Sequence, residues 1–134
     1  MRASDRITRE VGSWDGVTSR SHRFGGVEFR LGRVELGHIH GDSLADLPFP
    51  KKTRYSLIAS GRAEPHHVLP DTGWLTRRMR SESDVDDVIR LFRLNYERIS
   101  KRRAGAVNRP FRRGGSKACL TRRSRRLPPR RMSG

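Results

Sequence analysis

A strongly patterned β-hairpin constrains the fold of this chain more than any other part of its sequence. The run VEFRL, which begins at Val27, and the run VELGHIH, which ends at His40, alternate apolar and polar residues. A Gly-Arg pair separates the two runs and fits a type II′ turn, which pairs Leu31 with Val34 and, counting outward, places His38 opposite Val27. One face would then hold Val27, Phe29, Leu31, Val34, Leu36, His38 and His40. We therefore predict an antiparallel sheet that buries one of its faces.

Helices and further strands flank this hairpin. In chain order, the pattern predicts a helix over Ser4–Trp14, a strand over Val17–His22, a turn-rich connection over Asp42–Pro50, a helix over Lys51–Ser60, an irregular segment over Arg62–Asp71 and a strand over Gly73–Met79. The last and strongest helix begins at Ser81 or Ser83, and its apolar stripe consists of Val85, Val88, Ile89, Phe92, Tyr96 and Ile99. The predicted fold is α+β, a small antiparallel sheet with helices packed on one face.

Basic residues are distributed unevenly along the chain. Residues 1–100 contain 17 Lys/Arg and 14 Asp/Glu, whereas residues 101–134 contain 13 Lys/Arg and no acidic residue. Apolar periodicity also ends near Ser100, so we predict a folded domain over residues 1–100 and a disordered, Arg-rich tail over residues 101–134. Such a tail binds nucleic acid nonspecifically by counterion release. The arginines that would do so are Arg112, Arg113, Arg122, Arg123, Arg125, Arg126, Arg130 and Arg131.

Several classes of protein are disfavoured by what the sequence lacks. The one cysteine, Cys119, lies in the predicted tail, so the domain offers neither a disulfide nor a thiol nucleophile. The segment Phe24-Gly25-Gly26 fits a turn before a strand and lacks the pattern of a phosphate-binding glycine loop. Neither a signal peptide nor an apolar run of about 20 residues is visible. We therefore expect a cytoplasmic protein with no membrane partner.

Three stretches of the chain resemble the luciferase domain family. They are HRFGGVEFRLGRVELGHIHGDSLADLPFP (His22–Pro50), HHVLPDTGW (His66–Trp74) and SDVDDVIRLFRLNYER (Ser83–Arg98), and the resemblance covers about residues 12–99. The resemblance implies a compact α+β domain with an antiparallel sheet, and it implies no established reaction. A domain this small lacks the two-domain adenylating apparatus of beetle luciferases and the barrel of the flavin-dependent bacterial ones, so we do not expect light emission.

The candidate site residues are histidines and aspartates from two segments of the chain. The first segment holds His38, His40, Asp42 and Asp46, and the second holds His66, His67 and Asp71. If the two segments meet, these groups suit a small-molecule pocket or acid–base chemistry near neutral pH. A metal site is a further interpretation, with His38, His40, His66 and His67 as its candidate ligands. The same residues also fit a purely structural role, as core-edge histidines and turn aspartates.

These interpretations all stay open at the level of sequence. We predict a small-molecule-binding or small enzymatic domain of unknown reaction, with no metal, cofactor or catalytic residue assigned. The alternatives are nonspecific nucleic-acid binding through the tail and a structural or interaction role. The sequence does not decide whether the protein is an enzyme, which ligand it binds or how it oligomerises.

Overall fold

A six-stranded antiparallel sheet and three helices form the structure, a computed structural model that describes residues 1–22, 25–66 and 72–107. In chain order the elements are α1 (Ala3–Gly12), β1 (Val17–His22), β2 (Gly26–Leu31), β3 (Val34–His40), β4 (Leu44–Pro48), α2 (Lys51–Ala59), β5 (Glu64–Pro65), β6 (Trp74–Arg78) and α3 (Glu82–Val107). The strand order across the sheet is β1-β2-β3-β4-β6-β5, and every neighbouring pair is antiparallel. The predicted α+β class is confirmed. No helix within the described ranges is both long and apolar enough to cross a bilayer.

One hydrophobic core joins the helices to the sheet. Alternating residues of the strands point to the same side and meet the apolar stripes of the helices. The core includes Ile7 and Val11 of α1, Leu57 of α2, Val88 and Phe92 of α3, and Phe29, Ile39, Leu47 and Leu75 of the sheet. The rings of Phe29 and Phe92 pack edge to face, with centroids 5.2 Å apart. The helices therefore cover one face of the sheet, as predicted.

A β-bulge in β3 changes the register of the hairpin. The turn is as predicted, because Leu31 pairs with Val34 and Gly32 has a φ of +65°. Beyond the next pair the register shifts, so that two residues of β3, Leu36 and Gly37, lie opposite Phe29. The predicted pairing of Val27 with His38 is therefore wrong. Val27 pairs instead with Ile39.

This shift moves two histidines away from the core. The alternation predicted for an unbulged strand placed His38 and His40 on the buried face with Phe29, and that placement is incorrect. Ile39 is fully buried in the core, so its neighbours His38 and His40 project from the other side of the sheet. Val34, also predicted to be buried, is 44% exposed beside the turn. Val27, Phe29, Leu31 and Leu36 do pack in or against the core.

Two residues accommodate the bulge. Gly37 has a φ of +150°, and a Cβ at this position would lie 2.7 Å from the backbone oxygen of Asp46 and 2.9 Å from Phe92. Only glycine provides both the backbone conformation and the space that this position requires. Asn95 of α3 is fully buried and donates a hydrogen bond from Nδ2 to the carbonyl oxygen of Leu36, at 2.9 Å. Together they fix the bulge against α3.

Two further segments differ from the sequence-based expectation. Leu44–Pro48 forms β4 instead of a turn-rich connection, because it is paired on both sides, by β3 and by β6. Such pairing overrides the low strand propensity of Ala, Asp and Pro. Helix α3 begins after Ser81, whose side chain accepts a hydrogen bond from the backbone N–H of Asp84. It continues to Val107, past the predicted end at Ser100. The remainder of the predicted tail, residues 108–134, lies outside the described residues.

Candidate functional site

A row of polar residues crosses the face of the sheet opposite the core. The row runs through β2, β3, β4, β6 and β5, and its members, in register, are Glu28, His38, Asp46, Thr76 and Glu64. Asp46 stands at the centre of this row, and its side chain is only 1% exposed. Thr76 donates a hydrogen bond from Oγ1 to Oδ1 of Asp46, at 2.6 Å. The Asp46 carboxylate is thereby held in one orientation.

Three imidazole rings surround the other oxygen of this carboxylate. Oδ2 of Asp46 lies 2.9 Å from Nε2 of His40, 3.3 Å from Nε2 of His66 and 3.5 Å from Nε2 of His38. His38 and His40 belong to β3, and the bulge directs their side chains to the face of the sheet that carries Asp46. His66 directly follows the short edge strand β5, whose pairing with β6 brings it to the same face. We call Asp46, His38, His40 and His66 the Asp46 cluster.

Two carboxylates, that of Asp46 and that of the neighbouring Glu35, set the electrostatics of the cluster. Burial alone would lower the pKa of His38, but hydrogen bonds with Asp46 and Glu35 outweigh this effect and raise it to about 9. Glu35 contributes through a contact of 2.8 Å between Oε2 and Nδ1 of His38. Burial likewise opposes ionisation of Asp46, yet hydrogen bonds from His38 and Thr76 and the charge of His66 hold its pKa well below the usual value. The cluster therefore stabilises a buried negative charge.

An aromatic ring borders the cluster, and one of its histidines is partly exposed to solvent. The ring of Trp74 lies 5.3 Å from that of His38 and 6.3 Å from that of His66, measured between centroids. The His38 and His66 side chains are 13% and 12% exposed, while that of His40 is 32% exposed. A molecule arriving from solvent would therefore reach His40 first.

The structure brings together four of the seven candidate residues. His38, His40, Asp46 and His66 form the cluster. Asp42 does not join them, because its carboxylate accepts a hydrogen bond from the backbone N–H of Ser4, at 2.8 Å, and forms an ion pair with Arg2. Asp42 thus holds the start of α1, where an anion is favourable. His67 and Asp71 lie outside the described residues, as do the eight arginines assigned to nucleic-acid binding.

Three residues of the site were not identified from the sequence. Glu35 is not among the seven candidate residues, yet its carboxylate contacts His38 across the bulge. Thr76 and Trp74 belong to β6, and nothing local connects that strand to Asp46. The one available signal was Gly37, since a glycine inside a strand often marks a bulge. With a bulge assumed there, His38 and His40 would have been placed on the polar face.

The Asp46 cluster offers several chemical possibilities. Imidazole nitrogens donate or accept hydrogen bonds depending on the tautomer, and the carboxylate accepts them. The same atom types are ligands for divalent transition metals. The candidate ligand atoms of His38, His40 and Asp46 all lie within 4.8 Å of one another. The cluster therefore contains hydrogen-bonding groups for a polar ligand and atom types that can bind a metal ion.

Comparison with known proteins identifies the family of this domain. The family model described as Luciferase domain matches residues 33–95. This range includes β3, β4, β6 and most of the described part of α3. It also includes all four residues of the Asp46 cluster. The search of curated proteins found no match, and the search of solved structures found none either. Residues 33–95 belong to the Luciferase domain family, as their sequence resemblance predicted.

Proposed function

We propose that this Luciferase domain binds a small polar molecule at the Asp46 cluster, either as a binding module or as a small enzyme. The observation that carries the proposal is the convergence of three imidazole rings on one oxygen of a buried carboxylate. This convergence occurs on the face of the sheet that the hydrophobic core does not use. The family assignment itself names no reaction.

A purely structural role is a poor explanation for such a cluster. Removing a carboxylate from water carries a desolvation cost of several kcal/mol, and well-packed apolar residues often stabilise a fold as well or better. The core on the opposite face already packs the three helices against the sheet. Clusters of titratable groups with perturbed pKa values are typical of functional sites. The cost of burying Asp46 is therefore better explained by binding.

The surroundings of the cluster define the class of ligand. Small-molecule sites combine an apolar wall with a few polar groups that orient the ligand. Trp74 supplies an aromatic wall beside His38 and His66. The imidazoles supply hydrogen bonds, with His40 nearest to solvent. A small molecule with a planar or apolar body and one or two oxygen acceptors fits this arrangement.

Ligand-detected NMR on the full-length protein tests the proposal. The probe is a library of small aromatic carboxylates and phenols, screened against the wild type and the variants Asp46→Asn and His40→Gln. We expect hits that both variants lose. Asp42→Asn is the matched control, because it removes the charge of an aspartate that contacts α1 instead of the cluster.

The same variants separate binding from packing. Because the His40 side chain is one-third exposed, His40→Gln should lower the melting temperature by only a few degrees. Binding that survives unchanged in both cluster variants would place the site elsewhere. A loss of several kcal/mol in His40→Gln, as buried truncations commonly cause, would instead assign the histidine to packing.

A further inference from the structure

We propose that the Asp46 cluster binds one divalent transition metal ion, through the three Nε2 atoms and Oδ2 of Asp46. The inference rests on the proposed function, because it assigns a cation to the same site. It also makes that function more specific, because a polar ligand could then coordinate the bound metal ion. Zn²⁺ is the ion that the donor atoms fit best.

The distances from Oδ2 of Asp46 to the three imidazole nitrogens are close to those in a four-coordinate site. Zinc bonds of about 2.0–2.1 Å in a tetrahedron place neighbouring ligand atoms about 3.3 Å apart. The three nitrogen atoms lie 2.9, 3.3 and 3.5 Å from Oδ2 of Asp46. These three nitrogen–oxygen distances need to change by only a few tenths of an ångström. The ligand atoms of His38, His40 and Asp46 lie within 4.8 Å of one another, so the nitrogen atoms, including that of His66, would move toward the ion to complete the tetrahedron.

The number of nitrogen atoms around one oxygen also favours a cation. A carboxylate oxygen offers about two lone pairs for hydrogen bonds. Three ring nitrogens approach Oδ2 of Asp46, which is more than those lone pairs accommodate with good geometry. A central ion accepts electron density from all four atoms at once.

Two of the proposed ligands have hydrogen-bond partners of the kind that orients the ligands in metal sites. A histidine ligand commonly donates its second ring N–H to a carboxylate, and a carboxylate ligand is itself hydrogen-bonded. Glu35 contacts Nδ1 of His38 at 2.8 Å, and Thr76 donates to Oδ1 of Asp46 at 2.6 Å. Both contacts leave the proposed ligand atom, Nε2 or Oδ2, facing the centre of the cluster.

Charge and donor type limit the identity of the ion. An ion of charge +2 balances the carboxylates of Asp46 and Glu35 when the three imidazoles are neutral. Imidazole suits zinc, nickel, copper and iron, whereas Mg²⁺ and Ca²⁺ require mostly oxygen ligands. The three nitrogen donors therefore exclude the alkaline-earth ions and leave a transition metal of the zinc type.

Metal titration of the chelator-treated, full-length protein tests this inference. The probes are Zn²⁺, followed by calorimetry, and Co²⁺, followed by its visible absorption, which is intense when the ion is four-coordinate. We expect one ion per chain, a zinc-dependent rise in melting temperature, and no competition from Mg²⁺. The expected loss of affinity is about 10–100-fold in Glu35→Gln, and more than 100-fold in His40→Gln and Asp46→Asn.

Two control variants identify adventitious binding. Asp42→Asn alters a carboxylate outside the cluster, and Cys119→Ser removes the one thiol of the chain. Both should bind Zn²⁺ with the affinity of the wild type. If His40→Gln and Asp46→Asn bind Zn²⁺ as tightly as the controls, the ion is adventitious and the inference fails. His40→Gln serves as the decisive variant if Asp46→Asn does not fold.

The metal inference and the proposed function fail in distinguishable ways. If the protein binds no zinc but still binds the library compounds after chelation, the metal site is wrong and the proposed function stands. If zinc binds at one equivalent and no compound binds with or without it, the metal site stands and the small-molecule function is wrong.

Discussion

Replacing Gly37 with alanine tests the physical basis of the bulge that orients His38 and His40. The new Cβ would lie 2.7 Å from the backbone oxygen of Asp46 and 2.9 Å from side-chain atoms of both Leu47 and Phe92. Leu47 and Phe92 are fully buried, so neither can move without disturbing the core. Alanine would also have to adopt a φ of +150°, a conformation that L residues rarely populate.

The steric overlap and the backbone strain together set the expected loss in the free energy of unfolding. Overpacking of a well-packed core costs about 1–3 kcal/mol, and a strained backbone conformation costs a further amount of about 1–3 kcal/mol. We therefore expect Gly37→Ala to lower the free energy of unfolding by about 2–6 kcal/mol. A domain of this size has a total free energy of unfolding of about 5–15 kcal/mol. A loss at the upper end of the expected range of about 2–6 kcal/mol would therefore leave the variant only marginally folded.

Urea and thermal unfolding of the full-length protein measure this loss. At about 4–8 °C per kcal/mol, the melting temperature should fall by at least about 8 °C. Gly12→Ala is the matched control, because Gly12 ends α1 with nothing within 4 Å of its would-be Cβ. That variant should be neutral or stabilised by up to about 1 kcal/mol. A Gly37→Ala variant within about 0.5 kcal/mol of the wild type would refute the assigned bulge geometry.

Three further predictions follow from other contacts. Asn95→Leu removes the donor to the Leu36 carbonyl and should cost about 1–3 kcal/mol in urea unfolding; an unchanged midpoint would contradict the role of Asn95 in fixing the bulge. The pKa of Asp42 is lowered by its hydrogen bonds with Ser4 and Arg2, so ionised Asp42 stabilises the fold above pH 3.8, and this contribution is lost as the pH falls further. The difference in melting temperature between the wild type and Asp42→Asn should therefore shrink below pH 3.8, and a constant difference would show that the charge is immaterial. Deleting residues 108–134 should leave calorimetric unfolding nearly unchanged while abolishing any weak, salt-sensitive binding of DNA measured by fluorescence anisotropy; salt-resistant binding by the remainder would contradict the assignment to the tail.

The bulge links the fold to the proposed site. Without the extra residue, the alternation of β3 would direct His38 toward the core, where a charged imidazole has no compensating carboxylate. With it, Leu36 packs in the core while His38 faces Asp46. The same glycine whose missing side chain admits Phe92 therefore determines which face carries the histidines.

Local interactions explain why much of the fold was predictable from the sequence. The Gly32 turn, the strands beside it and helix α3 depend on residues that are close in sequence, through turn chemistry and apolar periodicity. These elements lie close to where they were predicted. The family resemblance likewise depends on sequence alone, and it held for residues 33–95.

The candidate site depended on pairings that no local pattern contains. The sequence pattern predicts a turn at Asp46, because the segment LADLP has little strand propensity. Only the position of this segment between β3 and β6 makes it a strand. Thr76 lies 30 residues beyond Asp46, and the pairing of β4 with β6 brings the two into contact. His66 meets Asp46 because β5 pairs with the far edge of β6. The sequence by itself therefore determined which residues carry polar chemistry. Long-range strand pairing, together with one glycine that admits a bulge, decided which of them meet.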